Sequence, residues 1–121
     1  MRRHQRLRSS ADFRRVRDQA ARSWAHPLLV LYAAPNDLGQ TRIGITVGKR
    51  VGKSAVVRNR VRRRIREAVR LRYGDLVPGQ DLLLIARPAA VQATWPELRG
   101  AVESVIGRAH LWAPRASEPA T

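Results

Sequence analysis

The segment GKRVGKSAVVRNRVRRRIRE, residues 48–67, carries a dense set of cationic side chains. Its first half resembles a nucleotide phosphate loop, in which four residues separate the first glycine from a Gly-Lys-Ser sequence so that consecutive amides surround a phosphate. Here only Lys-Arg-Val lies between Gly48 and Gly52. The spacing is one residue short, so the segment does not predict nucleotide binding.

The second half of this segment predicts an amphipathic helix over residues 55–73. At about 100° per residue, one arc is apolar and suited to pack on a sheet; it consists of Val57, Val61, Ile65, Ala68 and Val69. The opposite arc is basic, with Glu67 as its only acid; it consists of Asn59, Arg60, Arg62, Arg63, Arg66 and Arg70. Arginines four residues apart repel each other and destabilise a helix, and an ordinary solvated face mixes signs. We therefore interpret this face as a phosphate-binding surface.

The residues around the start of this helix extend the same surface. Lys49, Arg50 and Lys53 precede the helix N-terminus, whose own partial positive charge favours phosphate. Arg58 begins the arginine series. Asn59, the neutral donor and acceptor among these arginines, either reads a base or sugar or orients the preceding loop.

The composition favours a nucleic acid as the partner. The chain has 121 residues, 24 Lys+Arg against 9 Asp+Glu, and a formal charge of +15, yet 44% of its residues are hydrophobic. It can therefore fold as one compact domain, and such a charge is typical of proteins that bind polyanions. Genomic base composition remains an alternative explanation for the excess of arginine over lysine.

Several function classes are not supported by the sequence. The nine acids are scattered, and His4, His26 and His110 lie far apart without ligand spacing, so no catalytic residue, metal site, bound cofactor or small-molecule ligand is predicted. There is no cysteine, which predicts an intracellular, cytoplasmic protein. No secretory signal and no run of about 18 apolar residues is found, so no membrane contact is expected.

The remaining pattern predicts a single α+β domain. Residues 1–8 are expected to form a basic mobile arm, residues 9–112 the RNA-binding domain, and residues 113–121 a disordered tail. Ser9 or Ser10 caps a first helix that carries Phe13, and TWPE at 94–97 begins a last helix that ends near His110. Strands are predicted at 27–35, 41–48 and 81–87.

The order of these elements is helix, two or three strands, helix, strand, helix, which suits a two-layer α/β sandwich. The strands at 27–35 and 41–48 are expected to form a hairpin. In the second of them Ile43, Ile45 and Val47 alternate with Arg42, Gly44 and Thr46. One face of the hairpin is therefore predicted to be core, and the other small, polar and open.

These motifs together resemble one family. The basic loop and Arg-Asn-Arg helix, and the segments ADFRRV, LVLYAAPN, RIGITVGKRVGK and DLLLIARP, are similar in content and order to the bacterial ribonuclease P protein subunit over residues 6–110. The resemblance implies a left-handed crossover between parallel strands. It also implies assembly, one to one, with a catalytic RNA that removes the 5′ leader of precursor tRNA with Mg²⁺ held mostly by the RNA.

The resemblance also assigns residues. It implies that the helix face meets the catalytic RNA through Arg58, Asn59, Arg60, Arg62, Arg63 and Arg66, and that Phe13 and Tyr32 line a cleft for the single-stranded leader. Without the resemblance, the sequence favours the interpretation of Phe13 and Tyr32 as core aromatics. Arg17 stands where the family often has a second aromatic, which leaves a backbone or cation–π contact there. A ribosomal or other structured-RNA-binding protein is the alternative, and a DNA reader would need a dimer interface or repeats that the sequence lacks.

Overall fold

A four-stranded sheet and three helices make up the computed structural model, which describes residues 2–114. The helices are α1 (Ser10–Gln19), α2 (Ala55–Arg70) and α3 (Trp95–Arg108). The strands are β1 (Ser23–Ala25), β2 (Leu29–Pro35), β3 (Arg42–Thr46) and β4 (Gln80–Ala86), and single 3-10 turns occupy Arg3–Gln5, Tyr73–Asp75 and Pro88–Val91. The predicted α+β class and element order are confirmed, and β1 is the third strand before α2 that the sequence left open.

The sheet has the order β1-β2-β4-β3, so β4 lies between β2 and β3. The predicted hairpin of β2 and β3 is therefore wrong. The reason is that β4 is apolar on both faces, with Leu82, Leu83 and Leu84 fully buried, which is typical of a central strand. It pairs antiparallel with β2 and parallel with β3. The chain crosses from β3 to β4 through α2, and the left-handed sense of that crossover stays a prediction.

The two faces of the sheet are covered by different helices. The larger core includes Leu31, Leu84 and Ile45 from the strands, with Ile65 of α2 and Val102 of α3. On the other face, α1 packs on β2 and β4. Val16 there joins a second cluster with Leu7, Ala34 and Leu83. The face that the sequence suggested was open is thus partly covered by α1.

Side chains cap all three helices at their N-termini. The Ser9 hydroxyl accepts from the Asp12 amide at 3.0 Å, and the Ser54 hydroxyl accepts from the Val56 amide at 3.1 Å. At α3, Thr94 and Glu97 form the predicted capping box. Helix α2 ends at Arg70, before the predicted residue 73, because the chain turns there into the 3-10 turn at Tyr73–Asp75. These caps satisfy amide groups that the helices leave unpaired.

The sequence predicted that the folded domain begins at residue 9, but the structure shows that it begins before that residue. Leu7 donates its amide to the Ile43 carbonyl at 2.8 Å and is only 5% exposed. Leu7, an apolar residue between two arginines, thus anchors the end of the predicted arm. The mobility of the arm before Arg6 stays a prediction. At the other terminus, Ala113 donates its amide to the Asp75 carbonyl at 2.6 Å. Residues 115–121 of the predicted tail lie outside the described residues.

A buried carboxylate ties α1 to the sheet. Asp81, at the start of β4, has no exposed surface. Its Oδ2 lies 2.5 Å from Arg15 Nη2 on α1 and 2.7 Å from Arg42 Nη2 on β3. Its Oδ1 accepts from Arg42 Nε at 2.9 Å and from Asn36 Nδ2 at 2.7 Å. One side chain therefore joins α1, the end of β2, β3 and β4.

We expect this network to make stability fall in acid. Burial by itself would raise the pKa of Asp81, but hydrogen bonds from Arg42, Arg15 and Asn36 outweigh it and hold the pKa below 3.8. A depressed folded pKa adds stability above the unfolded value, and this stability is lost as pH falls through the folded value. The free energy of unfolding, measured in urea, should therefore drop below about pH 4.

Asp81→Asn is the matched variant because it keeps the volume and removes the charge. Near pH 7 it should unfold with a free energy lower by about 2–4 kcal/mol, since it leaves Arg15 and Arg42 without their carboxylate. Its stability should also decline less in acid than that of the wild type. Parallel pH profiles for the two proteins would contradict the assignment.

Candidate RNA-binding site

A cleft of about 580 Å³ opens between α1, the edge of β3 and α2. The ring of Phe13 and the apolar side chains of Ile45 and Val47 line part of it. Four arginines also line it, namely Arg6, Arg8, Arg62 and Arg66. Among the described residues that line this cleft there is no carboxylate. It therefore combines an aromatic surface with a concentration of positive charge, a combination typical of sites that bind unpaired nucleic acid strands.

Arg66 is partly buried in the cleft beside two other arginines. Partial burial, followed by the charges of Arg6 and Arg62, lowers the pKa of Arg66. A guanidinium remains charged even so, which means that these cations are held close together at an energetic cost. A bound phosphate would relieve that repulsion.

The basic face of α2 has two sides. Arg62 and Arg66 are half-buried and turn into the cleft, whereas Arg60 and Arg63 are exposed. Arg70, also exposed, is partly neutralised because its Nη2 lies 2.6 Å from Glu67 Oε1. In the loop before α2, the exposed side chains are Lys49, Arg50 and Lys53.

Arg58 and Asn59 have local roles that the sequence did not separate. Arg58 donates through Nη1 to the carbonyls of Gly52 and Lys53, each at 2.8 Å. Arg58 therefore holds the basic loop against α2, which is one of the two roles considered for Asn59. Asn59 Oδ1 instead accepts from Arg62 Nη1 at 2.6 Å. Its contact orients an arginine of the cleft.

The aromatic residues expected in the cleft lie on one side of the sheet but are not equivalent. Phe13 and Tyr32 are both half-buried against the cluster under α1. Phe13 lines the cleft, and its ring fits closely over Gly44, where a Cβ would come within 2.7 Å of Phe13 Cε1. Tyr32 is not among the lining residues; the exposed Arg17 guanidinium lies 5.9 Å from its ring centroid. Phe13 thus packs against the core and also lines the cleft, while its contact with a leader stays a prediction.

Comparison with known proteins identifies this arrangement. The family model described as Ribonuclease P matches residues 1–110 of the chain. The chain belongs to the ribonuclease P protein family. It is 47% identical over 115 residues to the ribonuclease P protein component of Herpetosiphon aurantiacus, covering 95% of this chain and 92% of that protein. The protein component of Roseiflexus castenholzii is 46% identical over 110 residues, covering 90% and 88%.

Solved structures of the ribonuclease P protein share the fold. The Staphylococcus aureus protein superposes with a TM-score of 0.81 at 30% identity, covering 89% of this chain and 97% of that chain. The Thermotoga maritima protein gives a TM-score of 0.76 at 25% identity, covering 85% and 96%. The cleft and the basic helix thus occur in a chain with the fold of the ribonuclease P protein.

Two cleft residues, Arg6 and Arg8, were missed from the sequence because they fall in the predicted mobile arm. The signal was the pattern Arg-Leu-Arg, in which an apolar residue between two cations is typical of a short strand with one buried face. Because Leu7 is buried, its two neighbours are fixed beside Phe13. The basic surface of this ribonuclease P protein therefore continues across the cleft from α2.

Within residues 2–114, no three or more His, Asp or Glu side chains lie close enough together to hold a metal ion. No helix in that same part of the chain has the length and apolar character needed to cross a membrane.

Salt dependence distinguishes RNA-binding arginines from ordinary surface charge. Replacing Arg60 and Arg63 together by alanine should reduce the log–log slope of affinity for the ribonuclease P RNA against salt by about 2, since each phosphate contact contributes about 1. The matched control is Arg22→Ala with Arg99→Ala, which removes two exposed charges from outside the cleft and α2. Filter-binding titrations over a range of salt concentrations measure both slopes. Equal slopes for the two double variants would contradict this assignment.

Proposed function

We propose that this chain binds the catalytic RNA of ribonuclease P and holds the 5′ leader of precursor tRNA in the cleft between α1 and α2. The coarser role follows from its family: it is a protein subunit of the ribonuclease P endonuclease, which processes tRNA 5′ ends. The observation that carries the finer role is the cleft itself, in which Phe13 lies among four arginines without a carboxylate. We place the reaction in the cytoplasm, where precursor tRNA is made.

The exposure of the basic residues on α2 supports the assignment of some to the catalytic RNA and others to the boundary with the leader. Arg60 and Arg63, with the loop residues Lys49, Arg50 and Lys53, are exposed and suited to contact phosphates of a large folded RNA. Arg62 and Arg66, which the family resemblance assigns to the catalytic RNA, share the cleft with Phe13. We therefore assign these two to the boundary, within reach of both RNAs. Arg70 contributes less because Glu67 pairs with it.

Leader binding in the cleft is supported by the chemistry of its walls. A base can stack on the Phe13 ring while the flanking phosphates meet guanidinium groups, and stacking on an aromatic side chain contributes about 1–3 kcal/mol per base. Outside the cleft, Arg17 above Tyr32 offers a second position with a charge in front of a ring. Both sites accept any base, since every base has a π face.

We infer that the hydrolysis belongs to the RNA subunit with Mg²⁺, and that one protein serves one RNA. Two of the described acids are already engaged: Asp81 is enclosed by Arg15, Arg42 and Asn36, and Glu67 pairs with Arg70. Such carboxylates are poor ligands for the metal ions of phosphodiester hydrolysis. The protein's contribution is then to bind the substrate and to neutralise charge where two RNAs meet.

Reconstitution with the catalytic RNA tests the proposed function. At low Mg²⁺, where the RNA lacks counterions, the protein should stimulate cleavage of precursor tRNA, and the complex should bind precursor more tightly than mature tRNA. Phe13→Leu keeps an apolar side chain but removes the ring, so it should weaken precursor binding by about 10-fold, the effect of one stacked base.

Trp95→Leu is the matched control, since Trp95 is a half-buried aromatic of α3 that packs against the main core and does not line the cleft. It should leave the preference for precursor unchanged. Absence of stimulation by the wild-type protein would refute the proposed function. Equal weakening of precursor and mature tRNA by Phe13→Leu would refute the leader site.

A further inference from the structure

Residues 6–8, which we call the N-terminal clip, are fixed to the free edge of the sheet. Arg6 forms a parallel bridge with Ile43, and Leu7 donates its amide to the Ile43 carbonyl at 2.8 Å. The Leu7 side chain packs in the cluster that contains Val16 and Leu83. A backbone hydrogen bond and an apolar anchor therefore hold this segment beside β3.

Gly44 of β3 makes room for this attachment. A Cβ added there would lie 3.1 Å from Leu7 Cβ and 2.7 Å from Phe13 Cε1, and the shorter distance is one that real Cβ atoms do not tolerate. The absence of a side chain at Gly44 thus lets the clip and the Phe13 ring lie side by side on the same strand. The position of the clip is coupled to that of the ring.

This attachment places two cations along the cleft. Arg6 and Arg8 flank the buried Leu7, and both line the cleft together with Phe13 and the arginines of α2. Both also line an adjoining hollow of about 370 Å³, whose other walls are His4, Asp12 and Arg42. Asp12 is the one acid on this path. The positive surface therefore continues from the cleft around the clip.

We propose that the N-terminal clip binds the phosphate backbone of the precursor-tRNA leader and forms part of the wall of the cleft that α2 also lines. The ligand is a single-stranded phosphodiester chain, and this identification rests on the proposed function. A strand whose base stacks on Phe13 carries phosphates on both sides of that base, and guanidinium groups bind phosphate through paired hydrogen bonds. Arg6 and Arg8 of the clip supply two of these groups, and Arg62 and Arg66 of α2 supply two more.

The test uses the reconstituted complex and precursors that carry either a leader of several nucleotides or a leader of a single nucleotide. Arg6→Ala with Arg8→Ala should weaken binding of the long-leader precursor by about 100-fold or more, as expected for two charge-assisted contacts. Its salt slope should fall by about 1.4, because a contact to a single strand contributes about 0.7. Affinity for the short-leader precursor and for the catalytic RNA should change no more than in the control, Arg22→Ala with Arg99→Ala.

A second variant tests the attachment of the clip and leaves its charge intact. Leu7→Ser removes the apolar anchor but retains both arginines, so it should weaken long-leader binding in the same direction by a smaller factor. Thermal unfolding of each variant identifies any loss of folding. The arginine pair, whose side chains are partly or fully exposed, keeps the test valid if Leu7→Ser fails to fold.

The outcomes separate the two proposals. If wild-type protein stimulates cleavage but the Arg6 and Arg8 variant matches the control, the clip proposal is overturned and the proposed function stands. If the variant weakens binding of the catalytic RNA, or weakens both precursors equally, the clip contacts another part of the complex and the proposal is again overturned. If wild-type protein gives no stimulation, the proposed function itself fails.

Discussion

The buried carboxylate of Asp81 is the constraint on which the cleft between α1 and α2 depends. Helix α1 is only 10 residues long and has one fully buried apolar side chain, Val16, so packing alone fixes it weakly. The contact between Arg15 and Asp81 ties it to the central strand, and Arg42 and Asn36 complete the coordination of the same carboxylate. Phe13 lies on α1, so its position over Gly44 follows from this arrangement.

Several acidic residues of the chain stabilise the fold, and no acid among the described residues lines the cleft. A chain with a formal charge of +15 has few acids, and several of them serve the fold: Asp81 holds α1, Glu97 caps α3 and Asp75 pairs with Arg72. The walls of the cleft are left without a carboxylate. Like charges kept close together destabilise the folded chain, and a polyanion reverses that effect. The clustered arginines of the cleft therefore reduce the stability of the free protein, and the proposed RNA ligand would offset that cost.

The sequence predicted those features that depend on local pattern. The amphipathic period of α2, its basic face and the capping box at Thr94 all follow from residues within one or two turns of each other. The insertion of β4 between β2 and β3 depends on contacts between distant residues, and local pattern favoured a hairpin instead. The attachment of the clip likewise depends on distant contacts, because Leu7 is buried by residues of α1 and β4, and the pattern Arg-Leu-Arg alone does not name these partners. Arg58 and Arg62 both belong to the basic motif of the sequence, yet one binds the loop and the other lines the cleft.

We expect the leader of precursor tRNA to lie against Phe13 in the assembled complex. Crosslinking from position 13 is the direct test of this contact. A photoreactive phenylalanine derivative at position 13, in protein reconstituted with the catalytic RNA and a labelled precursor tRNA, places the reactive group on the wall of the cleft. We expect crosslinks to leader nucleotides, which should disappear when mature tRNA replaces the precursor. Crosslinks confined to the catalytic RNA or to the body of the tRNA would contradict it.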